Sequence, residues 1–288
     1  MPHTPLNSLG VNVFTAPEKP LAGDQPYPFG PPLSWDPITA TLVYGAEDAV
    51  LIDALTTAAE ATALADWIAL HGRNLTTIYL THGHFDHFFG LGVLLERFPD
   101  AQAIATPGSV QQMREQLSPK WRQFVNDLFP NQLSQNLVAA QPFTGETFEI
   151  EGHDVHIIQQ GRTDTLHTTS VYVPALDLVV AGDVVYNQCH MFVGDTTPQS
   201  RANWIAALNA LNDLHPKIVV AGHKKTGAPD TPEAITASKN YLEDFGRLID
   251  NNTSKQHVYD EMTRLYPDWA SQQPWLMFNF PALGSSPQ

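Results

Sequence analysis

The chain has a single cysteine, Cys189, in 288 residues. That excludes an intrachain disulfide and any Cys-rich zinc cage, so a metal bound here must take its ligands from histidine and carboxylate. Basic residues are scarce too: 15 Lys and Arg stand against 30 Asp and Glu, for a net charge of −15. No stretch gathers the cations into the stripe that a phosphate backbone requires, so nucleic acid is not an expected partner. The same acidity disfavours anionic membranes, and no apolar run approaches the roughly 20 residues that span a bilayer. The opening Met1-Pro2-His3 continues polar and proline-rich without the basic start and apolar segment of a secretory leader. A cytoplasmic location is expected.

What is present is a chain with 43% hydrophobic and 16% charged residues, the balance of a globular protein with a sizeable core. One domain over 1–288 is expected, with a loop-rich arm (about 1–38), a helical insertion (about 108–141) and C-terminal helices (about 232–288). Val11 to Phe14 alternates as an edge strand would. Ala40 to Tyr44 and Ala49 to Ile52 read as two strands of a hairpin, the second ending on Asp53. Ala61, Leu64, Trp67 and Ile68 recur at helical spacing, with Gly72 placed to end that helix. Leu75 to Leu80 is a strand leading into a histidine-rich loop, from which a helix runs to about Phe98. Further strands are expected near 102–105, 148–150, 155–159, 169–173, 178–181 and 217–221, with Ser200 capping a helix that stops before Pro216. Strands then helix, twice over, suits two sheets packed face to face with helices outside.

The strongest signal is His82-Gly83-His84-Phe85-Asp86-His87. Three imidazoles and a carboxylate within six residues, delivered on a loop at a strand end, are ligands that suit zinc. The spacing lets His82 and His84 point toward one ion while Asp86 and His87 turn back toward a second.

This segment resembles the signature of the metallo-β-lactamase fold superfamily, His-x-His-x-Asp-His followed by a later His, Asp and His. The resemblance covers about Ala40 to His223 and implies an αββα sandwich of two mixed β-sheets flanked by helices, an α+β layered fold. The later ligands it implies are His167, Asp183 in Val180-Ala181-Gly182-Asp183, and His223 in Val220-Ala221-Gly222-His223. One zinc would sit on His82, His84 and His167 and another on Asp86, His87 and His223, with Asp183 bridging; Fe or Mn could replace zinc. Where the family has a Gly-His-Thr-Pro-Gly-His kind of turn, this chain reads Gly161-Arg162-Thr163-Asp164-Thr165-Leu166-His167, and Asp164 is the alternative ligand on that turn. Asp53 would orient a ligating histidine through its second nitrogen.

The reaction so implied is hydrolysis by a hydroxide held between the two ions, with Asp86 positioning it and carrying its proton to the leaving group. Tyr186, three residues past Asp183, resembles the tyrosine of lactonase branches that donates to the developing oxyanion. A small-molecule substrate is expected, and a homodimer is left open. The expected pocket wall comprises Phe85, Trp121, Phe124, Phe129, His190 and Phe192, with Trp269, Trp275, Phe278 and Phe280 of the tail as further cover. Such a wall favours a hydrophobic lactone, ester or lactam. Two alternatives stay open: a glyoxalase II-like thioester hydrolase using Lys224 and Lys225 for glutathione, and an iron-dependent persulfide dioxygenase-like oxidoreductase.

Overall fold

The computed structural model describes residues 8–22, 32–193, 196–250 and 254–271. Its first half contains β1 (Gly10–Ala16), β2 (Lys19–Pro20), β3 (Ser34–Trp35), β4 (Ile38–Tyr44), β5 (Asp48–Ile52), α1 (Ala58–Leu70), β6 (Asn74–Tyr79), α2 (Phe85–Phe88), α3 (Leu91–Arg97), β7 (Gln102–Ala105), α4 (Pro107–Gln116), α5 (Pro119–Leu128) and β8 (Gln141–Pro142). The second half contains β9 (Thr147–Ile150), β10 (His153–Gly161), β11 (Thr168–Val173), β12 (Leu178–Asn187), α6 (Pro198–Asn212), β13 (Ile218–Lys224), α7 (Glu233–Ile249) and α8 (Lys255–Leu265).

Strand periodicity builds the layers. In β5, Ala49 and Leu51 face a core shared with α1, α3 and α4, whereas Val50 and Ile52 face the opposite way. In β12, Val179 and Ala181 pack with α6 and α7, and Val180 turns inward. The inward residues of both halves, among them Val43, Val50, Tyr79, Ile157, Val171 and Val220, form one central cluster. Helices, sheet, sheet, helices is therefore the layer order, the α+β sandwich that the sequence led us to expect. The strands run in the order β8-β7-β6-β5-β4-β13-β12-β11-β10-β9, with β1 also paired to β4. At the middle of this path β13 meets β4 through a single register pair, His223 opposite Ile38.

Local chemistry fixes the element ends. Thr57 caps α1 through a reciprocal box with Glu60, and Ala61, Leu64, Ala65 and Ile68 form its buried stripe. The helix expected to run from the histidine loop to Phe98 is instead broken into α2 and α3. The amide of Gly90 bonds Leu55 O and Ala54 N bonds His87 O, so the turn after β5 intrudes between the two pieces. Ser200 does not cap α6: Thr197 does, with Pro198 in the first turn and Ser200 completing the box from the third position. Helix in the 108–141 segment stops at Leu128, and no further element forms before β8 at Gln141–Pro142.

Each half presents a parallel strand pair to the site, β5 beside β6 and β12 beside β13. Asp53 and the histidine loop follow the carboxyl ends of the first pair. Asp183 and His223, expected just past their strands, lie within longer ones. Register breaks between Val180 and Gly182 and between Gly182 and Tyr186 turn the chain at Asp183.

Candidate metal centre and cavity

Two groups of ligand-type side chains converge where these strand ends meet. His82, His84, Asp164 and Asp183 form one, and Asp86, His87 and His223 the other, with the donor atoms in each within 4.8 Å of one another. Asp183 links them: its Oδ1 lies 3.1 Å from His87 Nε2, and its Oδ2 lies 3.3 Å from His223 Nε2 and 3.7 Å from His82 Nε2. Asp86 Oδ2 lies 3.4 Å from His223 Nε2.

The imidazoles are aimed by partners on their other nitrogens. His87 Nδ1 donates to Asp53 Oδ2 at 3.0 Å, and Asp53 Oδ1 also accepts the amide of Thr81 at 2.8 Å. His82 Nδ1 lies 3.0 Å from Thr81 Oγ1, which donates to the same carboxylate. His223 Nδ1 donates to the carbonyl of Pro37 at 3.2 Å. Asp53 itself adopts a left-handed φ of 66°, the turn that brings its carboxylate under the loop. Such partners fix tautomer and ring direction.

Whether cations fit is decided by what is left over. Nε2 of His82 and of His87, Oδ2 of Asp164 and Oδ1 of Asp183 are all buried without a hydrogen bond of acceptable geometry. A fold does not leave such atoms converging on one another without a compensating group, because each orphan costs about 1–3 kcal/mol. Gly222 adds to this: a Cβ there would collide with Asp183 Oδ1, so the missing side chain is the space the carboxylate occupies. The donors fit a pair of divalent cations. Electrostatics agree in direction. Burial opposes ionisation of Asp183 and Asp86, but His87 and His223 outweigh it and hold both carboxyls below the usual range.

His167, expected as a ligand, is elsewhere. It is exposed, has a left-handed φ of 61°, and lays its ring against Gly108 at the start of α4. Its carbonyl accepts the Ser109 hydroxyl at 3.0 Å, which ties the turn outward. Asp164, three residues earlier, projects into the cluster instead. Tyr186 is fully buried and stacks on His223 at 5.1 Å; its hydroxyl donates to Asp183 Oδ2 at 3.2 Å and does not line the cavity. Burial and the nearby Asp183 push that hydroxyl's pKa well up, so it remains a donor. The structure thus gives it the carboxylate as partner, where an oxyanion was expected.

A cavity of about 170 Å³ opens on His84, Asp86 and Asp183. Its wall is aromatic: Trp35, Phe85, Trp121, Phe124 and Phe192, with Gln116 beside them. Four of these were expected from sequence. Phe129 and His190 were expected too but lie in the core: Phe129 packs edge-on against Trp35 at 5.8 Å, and His190 Nδ1 lies 3.1 Å from the Tyr241 hydroxyl. Trp269 stacks on Tyr241 at 5.2 Å between α7 and α8, away from the cavity, and Trp275, Phe278 and Phe280 lie outside the described residues. Two residues went unnoticed in the sequence. Trp35 donates its indole N–H to Asp86 Oδ2 at 3.1 Å, and Gln116 of α4 accepts the amide of Phe85 at 2.6 Å, pinning the loop. Trp35 sits in an aperiodic, proline-rich arm and Gln116 on a helix read as a cover, so no pattern pointed to either.

His190 has a consequence for stability. Burial lowers its pKa from the ordinary 6.5 to about 3, so the folded protein takes up fewer protons there than the unfolded chain between those values. Stability therefore falls as pH drops below about 6.5. Replacing His190 by Gln should remove this component. The stability difference between variant and parent, from denaturant melts at about pH 8 and about pH 5, should move by about 2 kcal/mol in the variant's favour at the lower pH. A difference independent of pH would show that His190 is not held neutral.

With fold and site described, the family follows. A model of the metallo-beta-lactamase superfamily matches residues 33–223, and the chain belongs to that superfamily. Among characterised relatives, it is 29% identical over 171 residues to a hydroxyacylglutathione hydrolase of Glaesserella parasuis, covering 58% of this chain and 59% of that one. It is 22% identical over 184 residues to a ribonuclease J of Pyrococcus abyssi, covering 64% of this chain and 37% of that one. The chain thus matches less than two thirds of either relative's length. A solved metallo-beta-lactamase family protein from Thermus thermophilus superimposes with a TM-score of 0.59 over 90% of both chains at 19% identity, a likeness of fold. Among the described residues no helix is long and apolar enough to cross a membrane.

Proposed function

We propose that this chain is a hydrolase that opens a neutral, hydrophobic ester, lactone or lactam with two divalent cations. One would be held by His82, His84, Asp164 and Asp183, the other by Asp86, His87, His223 and the shared Asp183. The observation that carries the reading is the cavity, in which five aromatic side chains converge on an opening bounded by His84, Asp86 and Asp183. When bound, such a cation pair supplies Lewis acidity and lowers the pKa of a coordinated water from about 15.7 to about 7.

The chain's own residues do the rest. Trp35, Phe85, Phe192 and the pair Trp121 and Phe124 would bind the apolar part of the substrate and exclude water from the reacting carbonyl. Trp35 fixes Asp86 Oδ2 through its indole N–H, leaving the other carboxylate oxygen to take a proton from the attacking water and deliver it to the leaving oxygen or nitrogen as the acyl bond breaks. Asp53 and Thr81 hold His87 and His82 in one orientation, and Tyr186 does the same for Asp183. Zinc is the ion that the resemblance implies.

Thioester hydrolysis is the second reading, favoured by the hydroxyacylglutathione hydrolase match. Against it, Lys224 is paired with Asp230 at 2.7 Å and Lys225 donates to the Asp268 carbonyl at 2.5 Å. No lysine or arginine is among the described residues lining the cavity. Nor does a net charge of −15 favour RNA, the substrate that the other relative's name specifies.

The test is a panel of lactones, lactams and aryl esters of increasing acyl length plus a glutathione thioester, with and without chelator. Chelator-sensitive turnover that rises with acyl length is expected. Truncating the half-exposed Trp121 to Ser should raise KM for the long substrates about tenfold with metal content unchanged, since roughly 50 Å² of lost apolar contact is worth about 1.3 kcal/mol. Preference for the thioester would replace the main reading with the second. Stoichiometric iron with oxygen uptake and no hydrolysis would overturn both.

A further inference from the structure

Asp164 is built as a ligand. Its Oδ1 is held by two threonine hydroxyls, Thr163 Oγ1 at 2.8 Å and Thr168 Oγ1 at 3.2 Å. Its Oδ2 is buried, makes no hydrogen bond of acceptable geometry, and lies 3.1 Å from His84 Nδ1 and 3.8 Å from His82 Nε2. A carboxylate with one oxygen anchored and the other directed into an imidazole cluster is pre-oriented for a cation. The histidine expected at this turn is anchored outward on Gly108 and Ser109.

This exchange alters the donor set. With histidine, the first position would offer three imidazoles and one carboxylate. With Asp164 it offers two imidazoles, His82 and His84, and two carboxylates, Asp164 and Asp183. The second position has the same composition, His87 and His223 with Asp86 and Asp183. Imidazole suits zinc and its borderline neighbours, whereas carboxylate oxygen suits harder ions such as Mn²⁺. The third carboxylate also removes one unit of positive charge from the loaded centre.

We infer that Asp164 makes this a centre of two matched, oxygen-rich positions whose preference for Zn²⁺ over Mn²⁺ and Fe²⁺ is narrowed relative to a three-imidazole site. The inference rests on the two-cation reading given above. Zn²⁺ still binds more tightly than Mn²⁺ in absolute terms, as it does at most nitrogen and oxygen sites; what Asp164 compresses is the ratio.

The experiment is metal titration of the full-length apoprotein with Zn²⁺ alone, Mn²⁺ alone and the two in competition. It is read by metal analysis after gel filtration and by the Mn²⁺ paramagnetic resonance signal, and needs no substrate. The parent should bind two equivalents of either ion. Asp164→His should raise the Zn²⁺ over Mn²⁺ affinity ratio at one position by on the order of tenfold. Asp164→Asn should lower Mn²⁺ stoichiometry from two toward one while its melting curve stays cooperative. His167→Ala should leave stoichiometry and ratio unchanged. An unchanged ratio in Asp164→His, or loss of an ion in His167→Ala, would overturn the inference while the two-cation centre stands. A parent that binds fewer than two equivalents of both ions would overturn the centre itself.

Discussion

Asp183→Ala should lose both cations together and cut turnover by about 10³-fold or more. The size follows from the several kcal/mol that a cation's Lewis acidity contributes, each 1.36 kcal/mol being a factor of ten. The joint loss follows from position. Asp183 approaches His87 through Oδ1 and both His223 and His82 through Oδ2, so its removal takes a donor from both groups and leaves their imidazoles facing one another. Metal analysis of the purified variant beside its rate on the preferred substrate checks both parts. Retention of one full equivalent would show that the carboxylate serves a single position and does not bridge.

Trp204→Ala should destabilise the fold by about 3–5 kcal/mol, the range for deleting a fully buried aromatic. The indole lies in α6 with no solvent exposure, donates to the carbonyl of Val184 at 2.8 Å and packs at 6.4 Å from Tyr186. Its loss opens a cavity beside β12, the strand that carries Asp183, and orphans a buried carbonyl. Chemical denaturation of metal-free protein isolates this packing effect from any change in metal affinity. A loss below about 1 kcal/mol would mean that the helix layer closes over the gap.

How much of this was legible in the sequence depends on range. The histidine loop could be read because its candidate ligands are packed into six residues after a strand, and Asp183 and His223 because each follows an apolar run and a glycine. Both glycines are there for a physical reason, since Gly182 adopts a left-handed φ of 56° and Gly222 vacates the space of a carboxylate. The 161–167 turn could not be resolved from sequence. Asp164 and His167 are both ligand types three residues apart, and the choice is made by Thr163 and Thr168 on one side and Gly108 and Ser109 on the other. Long-range partners hid the remaining roles. Trp35 reaches Asp86 across 51 positions, and Tyr241 claims His190 across the same interval, so proximity of His190 to Asp183 along the chain was misleading.

The lone pairing of Ile38 with His223 has a further meaning. The β4–β13 ladder that joins the two halves of the sheet has a single register pair, and it lies beside the candidate ligands. His82, His84, Asp86 and His87 come from one half, and Asp164, Asp183 and His223 from the other. Ions seated there would rivet the two sheets across this short seam, and the free energy of binding them would count as cohesion of the whole chain. Chemistry and mechanical integrity would then share one fastening, so an ion lost to a chelator would weaken the scaffold as well as the reaction.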